Sequence, residues 1–302
     1  MITRRGLKYF FYYAQIKRIS RKTTAVKSII ILYKIPLNSL KNQKWHDGFT
    51  AAVDLLESDF DITLINTSTP DFWNSFEFSS LNSYDFIMVK SAWRSDIDLN
   101  LRRNHEKFNT PIGLMISGTL ENPKLKEQLF YDVIWYETDW YINKIKRHPN
   151  KFHGFGIDTD VMKPQNGVRK VYDWIMVGAP KKYKRVDELI KKSGSKLFIG
   201  DLTNQDNYSK HLLSLLKEHQ VKIVNFVAYE ELTNYYNLSK KCLIPTTLHG
   251  GGERSVLEAR ACSLAIEINE ENLKLKELTQ SEIWNHHYYY KQLKKGVLSI
   301  KK

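Results

Sequence analysis

The chain has 302 residues, 42% of them hydrophobic, with seven tryptophans, two cysteines and a formal net charge of +13. This is long enough for two domains with separate cores, and no apolar run approaches the roughly 20 residues that span a bilayer. Cys242 and Cys262 sit in apolar contexts without metal-ligand spacing, which argues against a disulfide framework and leaves reduced thiols in a cytosolic compartment as the expectation.

The charge is uneven. Residues 1–27 hold Arg4, Arg5, Lys8, Lys17, Arg18, Arg21, Lys22 and Lys27 and no acid, so they carry +8, while the other 275 residues carry only +5. The same segment is rich in aromatics, from Tyr9 to Tyr13, and lacks a signal-peptide core with a small-residue cleavage site. Three readings stay open: an interfacial segment on an anionic membrane, a basic arm on nucleic acid, and a solvated tail.

The first strand is expected at Ser28–Tyr33. After a loop containing Trp45, His46 and Asp47, Gly48 precedes a helix with Phe49, Ala52, Val53 and Leu56 at helical spacing. Further strands are expected at Asp61–Asn66, 85–89, 111–116 and 132–136. Strands alternating with helical stretches argue for a parallel sheet with covering helices. Ligands of such sheets sit beyond the carboxyl ends of the strands, which brings residues 45–48, 90–94 and 117–119 toward any site. A joint with Gly154, Gly156 and Pro164 follows at 152–164.

The second half repeats the architecture without repeating sequence. Strands are expected at 173–178, 196–199, 221–226, 242–245 and 264–268, with helices at 186–192, 208–219, 230–240 and 253–262. Two closing helices, 272–279 and 281–293, precede a basic piece at 294–302. Two successive α/β units give two Rossmann-like domains facing across a cleft.

The most informative stretch runs Pro245-Thr-Thr-Leu-His-Gly-Gly-Gly-Glu-Arg-Ser-Val-Leu-Glu-Ala-Arg-Ala-Cys262. Glycines between a strand and a helix let a ligand approach the main chain, and a helix start suits a phosphate. The alternative is a flexible loop with an Arg254–Glu258 surface pair at i,i+4.

Three landmarks share an order with the GT-B glycosyltransferases, especially glycosyltransferase family 4. Phe155-Gly-Ile-Asp-Thr-Asp-Val-Met-Lys-Pro164 resembles the family's joint, and Met176-Val-Gly-Ala-Pro-Lys-Lys-Tyr-Lys184 is similar to its glycine–lysine segment. Residues 253–262 look like its Glu-Ala helix, and Glu230-Glu-Leu-Thr-Asn-Tyr-Tyr236 resembles the helix between them. The resemblance covers residues 152–268. It implies a GT-B fold with a basic aromatic segment at 1–27, an acceptor domain at 28–151, a nucleotide-sugar domain at 152–270, and C-terminal helices at 271–302 packing back toward the first domain.

The implied activity is transfer of a sugar from a nucleotide-diphosphate donor to a glycan, lipid or other acceptor, of the hexosyltransferase type, retaining and metal-independent. The nucleotide sugar is substrate and partner, and no cofactor is expected. Lys184 takes the place of the lysine on the donor diphosphate, with Lys182 beside it. Glu258 matches the second glutamate of a paired motif that holds the ribose; the first falls on Gly250, and the family arginine falls on Ala179. Gly250, Gly251, Gly252, Glu253 and His249 complete the donor candidates.

Gly48, Trp93 and Arg94 are the acceptor-side candidates, Gly48 because a close backbone approach needs it. No carboxylate in the first half stands out as a general base, so no catalytic residue is assigned. No metal is expected: His286 and His287, adjacent on a helix, should point about 100° apart. The expected location is cytoplasmic, with membrane association through residues 1–27. A DNA-modifying GT-B glucosyltransferase and a non-catalytic GT-B-like binding protein are the alternatives. The concentration of charge in the tail counts against nucleic acid.

Overall fold

The computed structural model describes residues 26–35, 47–116, 122–203 and 206–300. The expectations placed on residues 1–25, on Trp45 and His46, and on 117–119 lie outside them. Six parallel strands form the first sheet: β1 Ser28–Tyr33, β2 Asp61–Asn66, β3 Phe86–Ser91, β4 Ile112–Ile116, β5 Val133–Tyr136 and β6 Lys151–His153. Their order is β2-β1-β3-β4-β5-β6. β1 and β4 are apolar and buried nearly throughout, as strands covered on both faces must be. The helices α1 Gly48–Leu56 and α2 Asp96–Arg103 belong to this half.

The second sheet has five parallel strands: β7 Tyr172–Val177, β8 Lys196–Gly200, β9 Lys222–Asn225, β10 Ser239–Ile244 and β11 Ala265–Ile268, ordered β11-β10-β7-β8-β9. Its longer helices are α3 Asn207–Glu218, α4 Tyr229–Asn237 and α5 Glu253–Ala261, followed by α6 Leu273–Gln280 and α7 His286–Leu298.

Several local expectations change. Residues 239–240, expected in the helix 230–240, open β10 instead. Residues 151–153 extend the edge of the first sheet before the chain crosses over; three residues are too few to show a period. Residues 186–192 form a short 3-10 turn, Val186–Leu189, rather than a longer helix. It is set off by Arg185, whose φ of 51° lies in the left-handed region. The final helix starts at His286 rather than at 281, and it continues to Leu298, into the basic piece. Lys294 belongs to it and donates to Asp59 at 2.6 Å.

That last helix returns to the first domain. Tyr289, Leu293 and Val297 join Phe49, Ala52, Val53 and Leu56 of α1 in one buried cluster. Trp135 of β5 lies under α7, and its indole Nε1 donates to Gln292 O at 2.9 Å. Gly296 makes room for the ring: a Cβ there would stand 2.5 Å from Trp135 Cζ2, closer than packed atoms tolerate.

Each sheet has one point where strand order reverses. In the first it lies between β1 and β3, and in the second between β7 and β10. Loops leaving the carboxyl ends of such neighbours part in opposite directions and open a crevice. The two crevices face each other across one cleft.

Candidate functional site

The cleft has a volume of about 660 Å³, within the roughly 300–1,000 Å³ usual for small-molecule sites. Both reversal points contribute. From the first domain come Tyr33 ending β1 and Lys34 after it, Asp47 and Phe49 at the start of α1, Lys90 and Ser91 ending β3, and Glu137 just past β5. The second domain supplies Gly178 after β7, Lys184, Gly251, Gly252, and Glu253, Arg254 and Glu258 of α5.

The glycine loop has the properties that anion binding needs. Gly251 and Gly252 have φ of 67° and 109°, in the left-handed region, so side chains there would be strained. Gly252 is the N-cap of α5, and no side chain among the described residues caps that first turn. Its N–H groups and the positive end of the helix dipole therefore point at the cleft. Lys184 Nζ lies 3.6 Å from where a Gly251 Cβ would be. Burial pushes the Lys184 ammonium down to about 8, with nearby Glu253 opposing the shift. A dianion beside it would remove that destabilisation.

Glu258 is buried, not on the surface as the simple ion-pair reading required. Its Oε2 accepts from the Tyr236 hydroxyl at 3.0 Å, and Arg254 Nε stands 3.4 Å from Oε1. Burial raises its pKa against the pull of Arg254 and Tyr236. Glu253 is also buried, and it is ion-paired with Lys274, itself fully buried.

The other wall was not legible as a motif. Asp47 caps α1, accepting from Phe49 N at 2.9 Å and Thr50 N at 3.1 Å. The same carboxylate reaches across the cleft to Arg254, and Lys90 Nζ stands 3.9 Å away. Burial opposes ionisation of Asp47, but Lys90, Arg254 and the two backbone donors outweigh it and lower its pKa. Burial, and then the nearby Glu253 charge, push the Glu137 carboxyl well above the usual carboxylate range. For Lys90 and Glu137 the available signal was position at strand carboxyl ends; for Lys274 nothing local pointed to the site.

The sequence candidates divide. Lys184, Gly251, Gly252, Glu253 and Glu258 come together in the cleft. Lys182 and His249 are exposed and do not line it. Gly250 faces its own domain, where a Cβ would meet Thr246 Cγ2 at 2.2 Å and Tyr183 O at 2.8 Å. A glutamate there would be excluded by the backbone, so the first member of the pair has no place at that position.

Gly48 needs to be glycine for a reason other than ligand approach: a Cβ would stand 2.1 Å from Gly156 O in the domain joint. Trp93 packs into the core beside Ile97 and Leu101. Arg94, at φ 61°, donates its N–H to Asp98 Oδ2 at 2.6 Å. Neither lines the cleft.

No protein-family model matches the sequence, and no curated protein matches it. Solved structures do match in fold. Sucrose-phosphate synthase from Thermosynechococcus elongatus superposes with a TM-score of 0.60 at 11% identity, covering 89% of each chain. HepE of Anabaena, in complex with UDP and glucose, has a TM-score of 0.60 at 10% identity, covering 90% of this chain and 100% of its own. A Listeria monocytogenes protein described as a UDP-N-acetylglucosamine 2-epimerase has a TM-score of 0.53 at 10% identity, covering 91% of this chain and 90% of its own. The chain has the GT-B fold. Since the fold appears with both transferases and an epimerase, chemistry has to be argued from the site.

Proposed function

We propose that the chain is a glycosyltransferase that moves a sugar from a nucleotide-diphosphate donor, with uridine diphosphate as the nucleotide, to an acceptor seated against the first domain. The observation that carries this reading is the convergence of Lys184, the Gly251–Gly252 loop and the uncapped start of α5 beside a buried Glu258. That set fits a diphosphate followed by a ribose. The neighbour HepE, solved with UDP and glucose, supports uridine.

In the transfer, the bond between the anomeric carbon and the diphosphate oxygen breaks, and the electron pair leaves with the diphosphate. A new bond forms to an acceptor hydroxyl, whose proton passes to the departing phosphate. Charge grows on the leaving oxygen, and preorganised cations and N–H groups stabilise it without rearranging. Lys184 and the α5 N-terminus are suited to that role, which supports the metal-independent reading. Membership of glycosyltransferase family 4 and retention of configuration are read from the resemblance of residues 152–268. A membrane-borne acceptor is read from the basic aromatic composition of residues 1–27. No helix among the described residues is long and apolar enough to cross a membrane. Equal pelleting with anionic liposomes, with and without those 27 residues, would remove the membrane part.

The test is a thermal-shift screen of the full chain against nucleotide diphosphates and their sugars, followed by hydrolysis and transfer assays. UDP and one UDP-sugar should raise Tm, and the sugar should be released or transferred. No shift with any nucleotide and no hydrolysis, with or without acceptors, overturns the reading. Release of an epimerised sugar without acceptor would replace it with epimerase chemistry.

A further inference from the structure

The chain crosses between the two domains twice, once after β6 and once before α7, and the two crossings lie side by side. Ile157 N donates to Trp284 O at 3.0 Å, and Ile157 forms an isolated parallel bridge with Asn285. A Cβ on Gly156 would stand 2.6 Å from Asn285 O. These contacts fix the loop 158–160 against the first turn of α7.

That geometry brings Asp158, Asp160, His286 and His287 into one cluster. His286 Nδ1 stands 3.4 Å from Asp158 Oδ1, and His286 Nε2 stands 3.6 Å from Asp160 Oδ2. The two imidazoles do not diverge as adjacent helical residues should. Their centroids are 4.3 Å apart, with planes tilted by 36°. Both belong to the first turn, where the helix has no preceding turn to crowd the rotamers. One ligand atom from each of Asp160, His286 and His287 can be chosen so that all lie within 4.8 Å of one another.

The His286 side chain is only 7% exposed, and its Nδ1 has no hydrogen-bond partner among the described residues. A buried polar atom left in that state is unfavourable. A cation on Nε2 resolves it, since it polarises the Nδ1–H toward Asp158. A metal-bound histidine commonly directs its other N–H to a carboxylate.

We propose that Asp160, His286 and His287 form a binding site for a divalent ion of the zinc class, with Asp158 orienting His286, and that the bound ion ties the two interdomain crossings together. Two imidazoles and a carboxylate suit zinc more than magnesium or calcium, which take oxygen ligands. Zinc bonds of about 2.0–2.1 Å require the three ligand atoms to close to roughly 3.3 Å of one another in a tetrahedral site. His287 and Asp160 are exposed, so changes of rotamer can bring them in, with water in the fourth position. The two aspartates offset the dication. The cluster is separate from the cleft, and none of its members lines it.

The experiment uses the full chain, stripped with EDTA and without nucleotide, so its result does not depend on the transferase reading. Zinc is titrated calorimetrically, and cobalt is titrated by visible absorption. The expected result is one saturable ion per chain, a zinc-dependent rise in Tm, and tetrahedral cobalt bands. H287A and D160N should each weaken zinc by at least about tenfold, since loss of even an outer partner costs 10–100-fold. D158N should weaken it by about tenfold. H219A, an exposed histidine elsewhere, should bind as the parent does. Both ligand changes are at exposed side chains, and an unchanged Tm of the stripped variants checks that they fold. No saturable binding, or H287A and D160N binding zinc like the parent, overturns the site.

Discussion

The two walls of the cleft are built on different plans. The second-domain wall is local: Gly251, Gly252, Glu253, Arg254 and Glu258 fall within eight residues of sequence, joined by Lys184. The first-domain wall is assembled from Asp47, Lys90 and Glu137, single residues at the ends of separate elements. One strand-loop-helix unit can present N–H groups and a carboxylate in fixed relation, which suits the nucleotide of the proposed donor. Single residues on separate loops can each be exchanged without disturbing the others, which suits a variable acceptor. Arg254 spans the difference, since it pairs with Asp47 on one side and Glu258 on the other.

The largest effect on nucleotide affinity should come from the second wall. Lys184→Ala is expected to weaken UDP by about 2–3 kcal/mol, roughly 30- to 150-fold in Kd, as loss of a charged hydrogen-bond donor does. Lys90→Ala on the first wall should change it by less than about threefold. Calorimetry on the pair checks the contrast, and equal losses would break it.

Glu258→Gln should weaken UDP by about tenfold, the scale of one hydrogen bond to a charged group. The same change should have little effect on 2′,3′-dideoxy-UDP. An equal loss for both nucleotides would mean that Glu258 acts through Arg254 and not on the ribose.

The pH dependence sharpens the same division. The Lys184 ammonium titrates at about 8 in the free cleft. It is charged below that value and neutral above it, so affinity should be highest below pH 8. Binding of a UDP-sugar should therefore fall by up to about tenfold per pH unit above 8, the limit for one linked proton. Lys184→Ala should flatten most of that slope. A profile level from pH 7 to 9.5 would show that Lys184 does not face the diphosphate.

Apart from the Lys90→Ala control, the smallest effect is expected at the bridge. Asp47→Asn frees Arg254 for the phosphate and should tighten UDP by about three- to fivefold, near the 1 kcal/mol of a partly exposed pair. Weaker binding would instead mean that Asp47 positions Arg254 for the ligand.

Much of the architecture was legible because both sheets are parallel and their central strands are apolar and buried. Strands such as Ser28–Tyr33 and Asp61–Asn66 are bounded in sequence where they are bounded in space. The glycine loop was legible for a related reason: its conformation depends on backbone freedom, which glycines record directly. Lys182, His249, Trp93 and Arg94 looked equally eligible, because sequence does not say which way a loop residue faces. Gly48 and Gly250 mark close approaches, but of the protein to itself at Gly156 and Tyr183.

The sequence by itself determined two α/β units, their order, and a glycine loop opening a helix, since periodicity and backbone permission are local properties. Tertiary structure alone decided that Arg254 meets Asp47, that Lys274 neutralises Glu253, and that His286 and His287 gather with Asp158 and Asp160. Each of these joins residues far apart in the chain, and for the buried Asp47, Glu253 and Lys274 burial of charge fixes which partner each one must find.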